Sequence, residues 1–103
     1  VTVKVLLHPA EIAARVVEDL RSEGLTDYPF IPADLDDEIA RWCQTNDVGQ
    51  VAGILVREAM ASLPGVKRWR PWLNVHDPAH RYIRRRQRAR GEENERPTIY
   101  VIS

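Results

Sequence analysis

Arg81-Tyr82-Ile83-Arg84-Arg85-Arg86-Gln87-Arg88-Ala89-Arg90 places six arginines in ten residues, and how this run folds decides how the rest of the chain is read. It reads as an arginine-studded strand, followed by a polar loop from Gly91 to Arg96 and an apolar strand from Pro97 to Ser103. Alternation along such a strand puts Arg84, Arg86 and Arg88 on one side, and Arg81 and Arg85 on the other. The long loop lacks a two-residue turn signal, so the register of this hairpin stays open.

Charge segregates outward from that run. Residues 1–64 carry five Lys/Arg against eleven Asp/Glu, whereas residues 65–103 carry ten against four, within a formal net charge of zero. A basic face that meets a polyanion is expected; the competing explanations are pairing between the two halves or with a second copy, and a solvated charged surface. The basic segment begins at Lys67-Arg68-Trp69-Arg70-Pro71-Trp72, where cations and aromatics interleave. Lys67, Arg68 and Arg70 are expected on phosphates, and at least one of Trp69 and Trp72 in the core.

Upstream the pattern is helical. Val1 to Leu7 is β-branched and favours a short strand. Ile12, Ala13, Val16, Val17 and Leu20 then recur at helical spacing between Pro9 and Gly24, giving a first helix. Leu25 to Ala33 is a proline-containing connector, and Asp34 suits an N-cap for a second helix with Leu35, Ile39 and Cys43 on one side. After a polar break at Thr45-Asn46-Asp47, a capping box formed by Asp47 and Gln50 predicts a third helix from Val48 to Leu63, stopped by Pro64-Gly65. It buries Val48, Val51, Ala52, Leu55, Ala59 and Leu63 and leaves Gln50, Gly53, Arg57 and Ala61 on the opposite arc.

The second and third helices form a helix-turn-helix pattern in which Asn46, Gln50 and Arg57 could reach base edges while Gly49 and Gly53 permit close approach. One bidentate base contact contributes about 1–3 kcal/mol of discrimination. Two helices joined by a tight turn also occur in α-rich domains that never touch DNA, so the arginines carry more of this reading. Arg84, Arg85, Arg86, Arg88 and Arg90 exceed what an exposed edge strand needs to resist aggregation, and guanidinium groups match phosphates in forked geometry. Glu92, Glu93 and Glu95 would repel phosphates at the loop tip, placing contact nearer the strand.

Other chemistry is poorly represented. His76, Asp77 and His80 are too few for a metal site, and Asp77-Pro78 looks like a helix cap. The acidic start of the second helix suits the helix dipole. No phosphate-binding loop, dinucleotide fingerprint or nucleophile elbow occurs, so neither an enzyme nor a cofactor is expected. Cys43 is the only cysteine, which excludes an internal disulfide. No apolar run reaches membrane-span length and the start has no signal-peptide pattern, compatible with a cytoplasmic protein.

The order strand, three helices, arginine strand, loop and apolar strand resembles the winged helix-turn-helix superfamily across nearly the whole chain. Within it, GVKRWRPW (65–72) with RYIRRRQRARGEENERPTIYVI (81–102) is similar to the closing DNA-binding segment of phage and plasmid replication proteins of the primase-helicase kind. The resemblance implies an α+β fold with a C-terminal β-hairpin as the wing, in one domain over residues 1–103. It also implies a non-catalytic partner of double-stranded DNA, the third helix in the major groove and the wing on the backbone. Subunits of a replication or regulatory complex would be further partners. The alternatives are a winged-helix protein-interaction module and a single-strand binder using Trp69, Trp72 and Tyr82.

Overall fold

The computed structural model describes residues 3–103, so the first two residues of the expected N-terminal strand lie outside it. The elements in order are α1 (Pro9–Ser22), α2 (Pro32–Thr45), α3 (Gly53–Met60), β1 (Val66–Trp69), α4 (Pro78–Ala89) and β2 (Ile99–Ile102). Among the described residues no helix is long and apolar enough to cross a membrane.

The first helix begins where expected: Pro9 occupies the first turn and the His8 ring nitrogen Nδ1 accepts the Ala10 N–H at 3.2 Å. Its apolar stripe, Ile12, Ala13, Val16, Val17 and Leu20, is fully buried. Against it pack Leu35, Ile39, Trp42 and Cys43 of α2, Val56 and Met60 of α3, and Phe30, Val48, Tyr100 and Ile102. Each such side chain contributes roughly 1.5–3 kcal/mol on burial. Arg21 fastens the end of α1 to the C-terminal strand, donating to the Ser103 carbonyl at 3.0 Å and the Pro64 carbonyl at 2.8 Å.

Four sequence expectations change. The N-terminal strand is reduced to an isolated parallel bridge, Val5 opposite Val48, with Val5 N–H on the Asp47 carbonyl and Gly49 N–H on the Val5 carbonyl. That bridge holds residues 46–52 out of the helix, so α3 spans eight residues rather than Val48 to Leu63. Val48 is buried from extended backbone, while Leu55 is 54% exposed. α2 starts at Pro32, two residues before Asp34, and has no side-chain cap.

The largest correction concerns residues 81–90: residues 81–89 belong to a fourth helix, α4, and Arg90 is its C-cap. The antiparallel partner of β2 is β1, with Val66 opposite Ile102 and Trp69 opposite Ile99. Phe30 bridges Tyr100 on the other side of β2, through N–H···O contacts of 2.8 and 3.0 Å. The spatial order is therefore Phe30, β2, β1. The regular ladder ends after Trp69, where Pro71 and Pro97 each lack an N–H. It continues irregularly to Leu73, whose N–H reaches the Glu95 carbonyl at 2.8 Å.

The hairpin has two occupied faces. Val66, Tyr100 and Ile102 meet the helical core, and Trp69, Ile99 and Val101 meet a smaller cluster completed by Ile31, Leu73 and Ile83 of α4. α4 lies between the hairpin arms in sequence and packs on the face turned away from α3.

Candidate nucleic-acid interface

The local signals for α4 are complete. The Asp77 carboxylate accepts the Ala79 N–H at 2.9 Å, and Pro78 fills the first position. At the other end Gly91, with φ of 68°, donates to the Arg88 carbonyl while Glu92 N–H reaches back to Gln87. This paired closure needs a left-handed residue, which glycine supplies without strain. The fully buried Gln87 side chain donates to the Asn94 carbonyl at 2.9 Å and ties the following loop to the helix.

Helical winding divides the arginines differently from strand alternation. Positions 81, 84, 85 and 88 fall within an arc of about 100°, with Ile83, Arg86 and Arg90 on the other half of the helix. Arg86 holds Asp34 in a fork, at 2.7 and 2.9 Å, and Arg90 reaches both Asp34, at 2.9 Å, and Asp37. The Asp34 side chain is only 11% exposed. Hydrogen bonding from Arg86, reinforced by the charges of Arg86 and Arg90, holds its carboxyl below the ordinary value despite burial. The same contacts raise both guanidinium pKa values. These two arginines neutralise the acidic start of α2.

The outward four have no such partners. Among the described residues, Arg81, Arg84, Arg85 and Arg88 form no ion pair. Together with Leu73, Asn74, Val75 and His80 they line one groove. The His80 ring accepts the Asn74 N–H at 2.9 Å, and Arg84 donates to the Gln87 side chain at 3.2 Å. Glu93 and Glu95 border the Arg84 and Arg88 end without pairing.

Elsewhere the expected contacts are engaged inside the protein. The Asn46 side chain donates to the Trp42 carbonyl at 2.8 Å, and Gln50 to the Ala40 carbonyl at 3.0 Å. Arg57 pairs with Asp36 at 2.7 Å. A side chain at Gly53 would collide with the same Asp36 carboxylate, and one at Gly49 with Leu6, so the close approach at both glycines is intramolecular. What α3 exposes is Ile54, Leu55 and Glu58. Arg68 pairs with Glu58 at 2.9 Å, and Lys67 stands 5.0 Å from the Trp69 ring centre. Tyr82 is half-buried, its hydroxyl bonded to that of Tyr28. Arg70 remains exposed and unpaired among the described residues.

Two contributors escaped the sequence reading. Arg81 joins the outward stripe of α4, and the spacing 81, 84, 85, 88 would have revealed it had the run been wound as a helix. Arg96 lies 5.3 Å from the Trp72 ring, a contact that depends on hairpin register. No protein-family model, curated protein or solved structure matches the chain; the described residues form an α+β fold of four helices and a two-stranded antiparallel sheet.

Proposed function

We propose that the chain is a non-catalytic DNA-binding domain of winged-helix type that grips the duplex backbone through the outer face of α4. The observation that carries this reading is the four-arginine stripe without carboxylate partners. From Arg81 to Arg88, seven helical steps, the stripe extends about 10.5 Å, the length of roughly three nucleotides along one strand. The winged-helix component is supported by element order: α1, the Phe30 bridge, α2, α3, then β1 and β2, with β2 between Phe30 and β1. In this reading α4 is an elaboration of the wing.

The mode of binding differs from insertion of α3 into the major groove. Asn46, Gln50 and Arg57 are committed to internal contacts, so the domain binds the backbone with little dependence on sequence. Replication or transcriptional complexes, where a domain must hold DNA irrespective of sequence, suit this behaviour. Anisotropy of a labelled duplex titrated at several salt concentrations tests it: a log–log slope of about −3 to −4 is expected for four arginines. Affinity at low salt no greater than that of a neutral protein would reject the reading.

A second reading, a protein-interaction module, is favoured by Ile54 and Leu55, 55% and 54% exposed at the start of α3. Its signature is a stable complex with a partner protein that survives Arg81→Ala, Arg85→Ala and Arg88→Ala together.

A further inference from the structure

The hairpin face opposite α4 carries a second group of residues that the duplex reading does not use. Counting on from Trp69 opposite Ile99, Trp72 falls opposite Arg96, and the guanidinium lies 5.3 Å from the indole centre. Trp72 is 66% exposed and belongs to neither core cluster. The Arg96 Nε–H donates to the Arg70 carbonyl at 3.3 Å, which braces the guanidinium beside the ring. Arg70 itself lines a groove with Ile54, Arg68, Thr98 and the Tyr100 edge. Among the described residues neither Arg70 nor Arg96 forms an ion pair, whereas Arg68 is neutralised by Glu58. An exposed indole costs solubility, and here it carries one unneutralised cation, Arg96, on its ring, with a second, Arg70, two residues away in sequence.

We infer that Trp72 is a stacking platform for an unpaired nucleobase, with Arg70 and Arg96 on the phosphates that flank it. One indole face is taken by Arg96; the remainder is open to a base. A cation over an aromatic ring and a base on an adjoining face are the two recurring contacts of single-strand recognition, and neither requires a particular base. An acidic peptide would satisfy the arginines but would gain nothing from the flat indole. Because α4 packs on the other face of the same hairpin, the platform and the arginine stripe are separate surfaces. One molecule can thus hold a duplex on one and an unpaired strand on the other, the chemistry of a duplex–single-strand junction. This part of the inference rests on the duplex reading; the platform does not.

The test uses this chain with four probes: a labelled 20-nucleotide oligothymidine, a 20-base-pair duplex, that duplex with a ten-nucleotide overhang, and polyglutamate as the polyanion without bases. Trp72→Ala should weaken oligothymidine binding by about tenfold, in line with loss of one stacked base, and should abolish any preference for the overhang. Duplex affinity should stay within about twofold. Trp72→Phe should recover part of the loss, since a smaller ring still stacks. In the wild type, oligothymidine should quench tryptophan emission, and the quenching should vanish in Trp72→Ala although Trp42 and Trp69 remain. The triple change of Arg81, Arg85 and Arg88 to alanine should lower duplex affinity while leaving this quenching in place. Equal oligothymidine affinity for wild type and Trp72→Ala overturns the inference, as does equal quenching by polyglutamate. Loss of duplex binding alone would leave the platform standing and remove the duplex reading.

Discussion

α3 and α4 both look, in sequence, like helices or strands that should touch DNA, yet they differ in what becomes of their polar groups. Near α3, Arg57 is held by Asp36, Gln50 by the Ala40 carbonyl and Asn46 by the Trp42 carbonyl. At α4 the inner arginines, Arg86 and Arg90, find carboxylates, while among the described residues Arg81, Arg84, Arg85 and Arg88 form no ion pair. A cation in the sequence is available to a partner only after the fold has taken what it needs. The acidic first half of the chain takes Arg57, Arg68, Arg86 and Arg90, and leaves the outer stripe.

The comparison breaks most directly by removing that stripe. Changing Arg81, Arg84, Arg85 and Arg88 to alanine should reduce duplex affinity by on the order of a hundredfold at moderate salt and flatten the salt slope by about three to four. Anisotropy titrations at several salt concentrations measure both, and helix content by circular dichroism should hold, because alanine favours helices. Next in size is Ile83→Ala. Ile83 is 1% exposed and joins α4 to Ile31 and Ile99, so its truncation should cost about 2–4 kcal/mol in chemical denaturation. Duplex affinity should fall with it, since the stripe depends on a docked helix.

How far the sequence disclosed this arrangement can be judged at particular residues. The stripe of α1 and its Pro9 start were legible because the signals are local and agree with one another. The α4 signals were equally local, Asp77-Pro78 at one end and Gly91 at the other, but the apolar β2 downstream invited a hairpin partner immediately before it. Arginine favours helices over strands, and that propensity points to the observed structure. The true partner, Val66 to Trp69, lies across an intervening helix, and no local signal encodes such a long-range pairing. For the site, a set of arginines was foreseeable, but the division between paired and free was not: it follows from helical winding and from Asp34 and Asp37 on another element.

The ion pairs that dock α4 supply the next test. Asp34→Asn should destabilise the domain by about 1–2 kcal/mol at neutral pH, since two charged hydrogen-bond donors lose their acceptor and Arg90 retains Asp37. The Asp34 carboxyl titrates below its ordinary value in the folded protein, whereas an unfolded aspartate titrates near about 3.9. Its contribution is therefore complete above that unfolded value and is lost as pH falls through the folded one. Urea titrations of wild type and variant should differ by a constant amount from pH 7 down to about pH 4 and draw together only as the pH falls further, through the lowered folded value. Duplex affinity at pH 7 should change little, because Arg86 and Arg90 lie away from the outer stripe.

The smallest effect should come from Gln50, the residue best suited by type to bond adenine. It is exposed, and its amide donates to the Ala40 carbonyl at the surface of α2. Gln50→Ala should change stability by no more than about 0.5 kcal/mol, as expected for an exposed site away from buried features. Affinities for duplexes of differing sequence should keep their narrow spread. A panel of randomised duplexes compared by competition separates the two helices cleanly. If Gln50→Ala shifts the order of preferred sequences, the amide leaves Ala40 on binding and α3 enters the groove. If the order is flat before and after, the segment leading into α3 keeps its polar groups for the fold, as expected where the duplex is held through the α4 stripe.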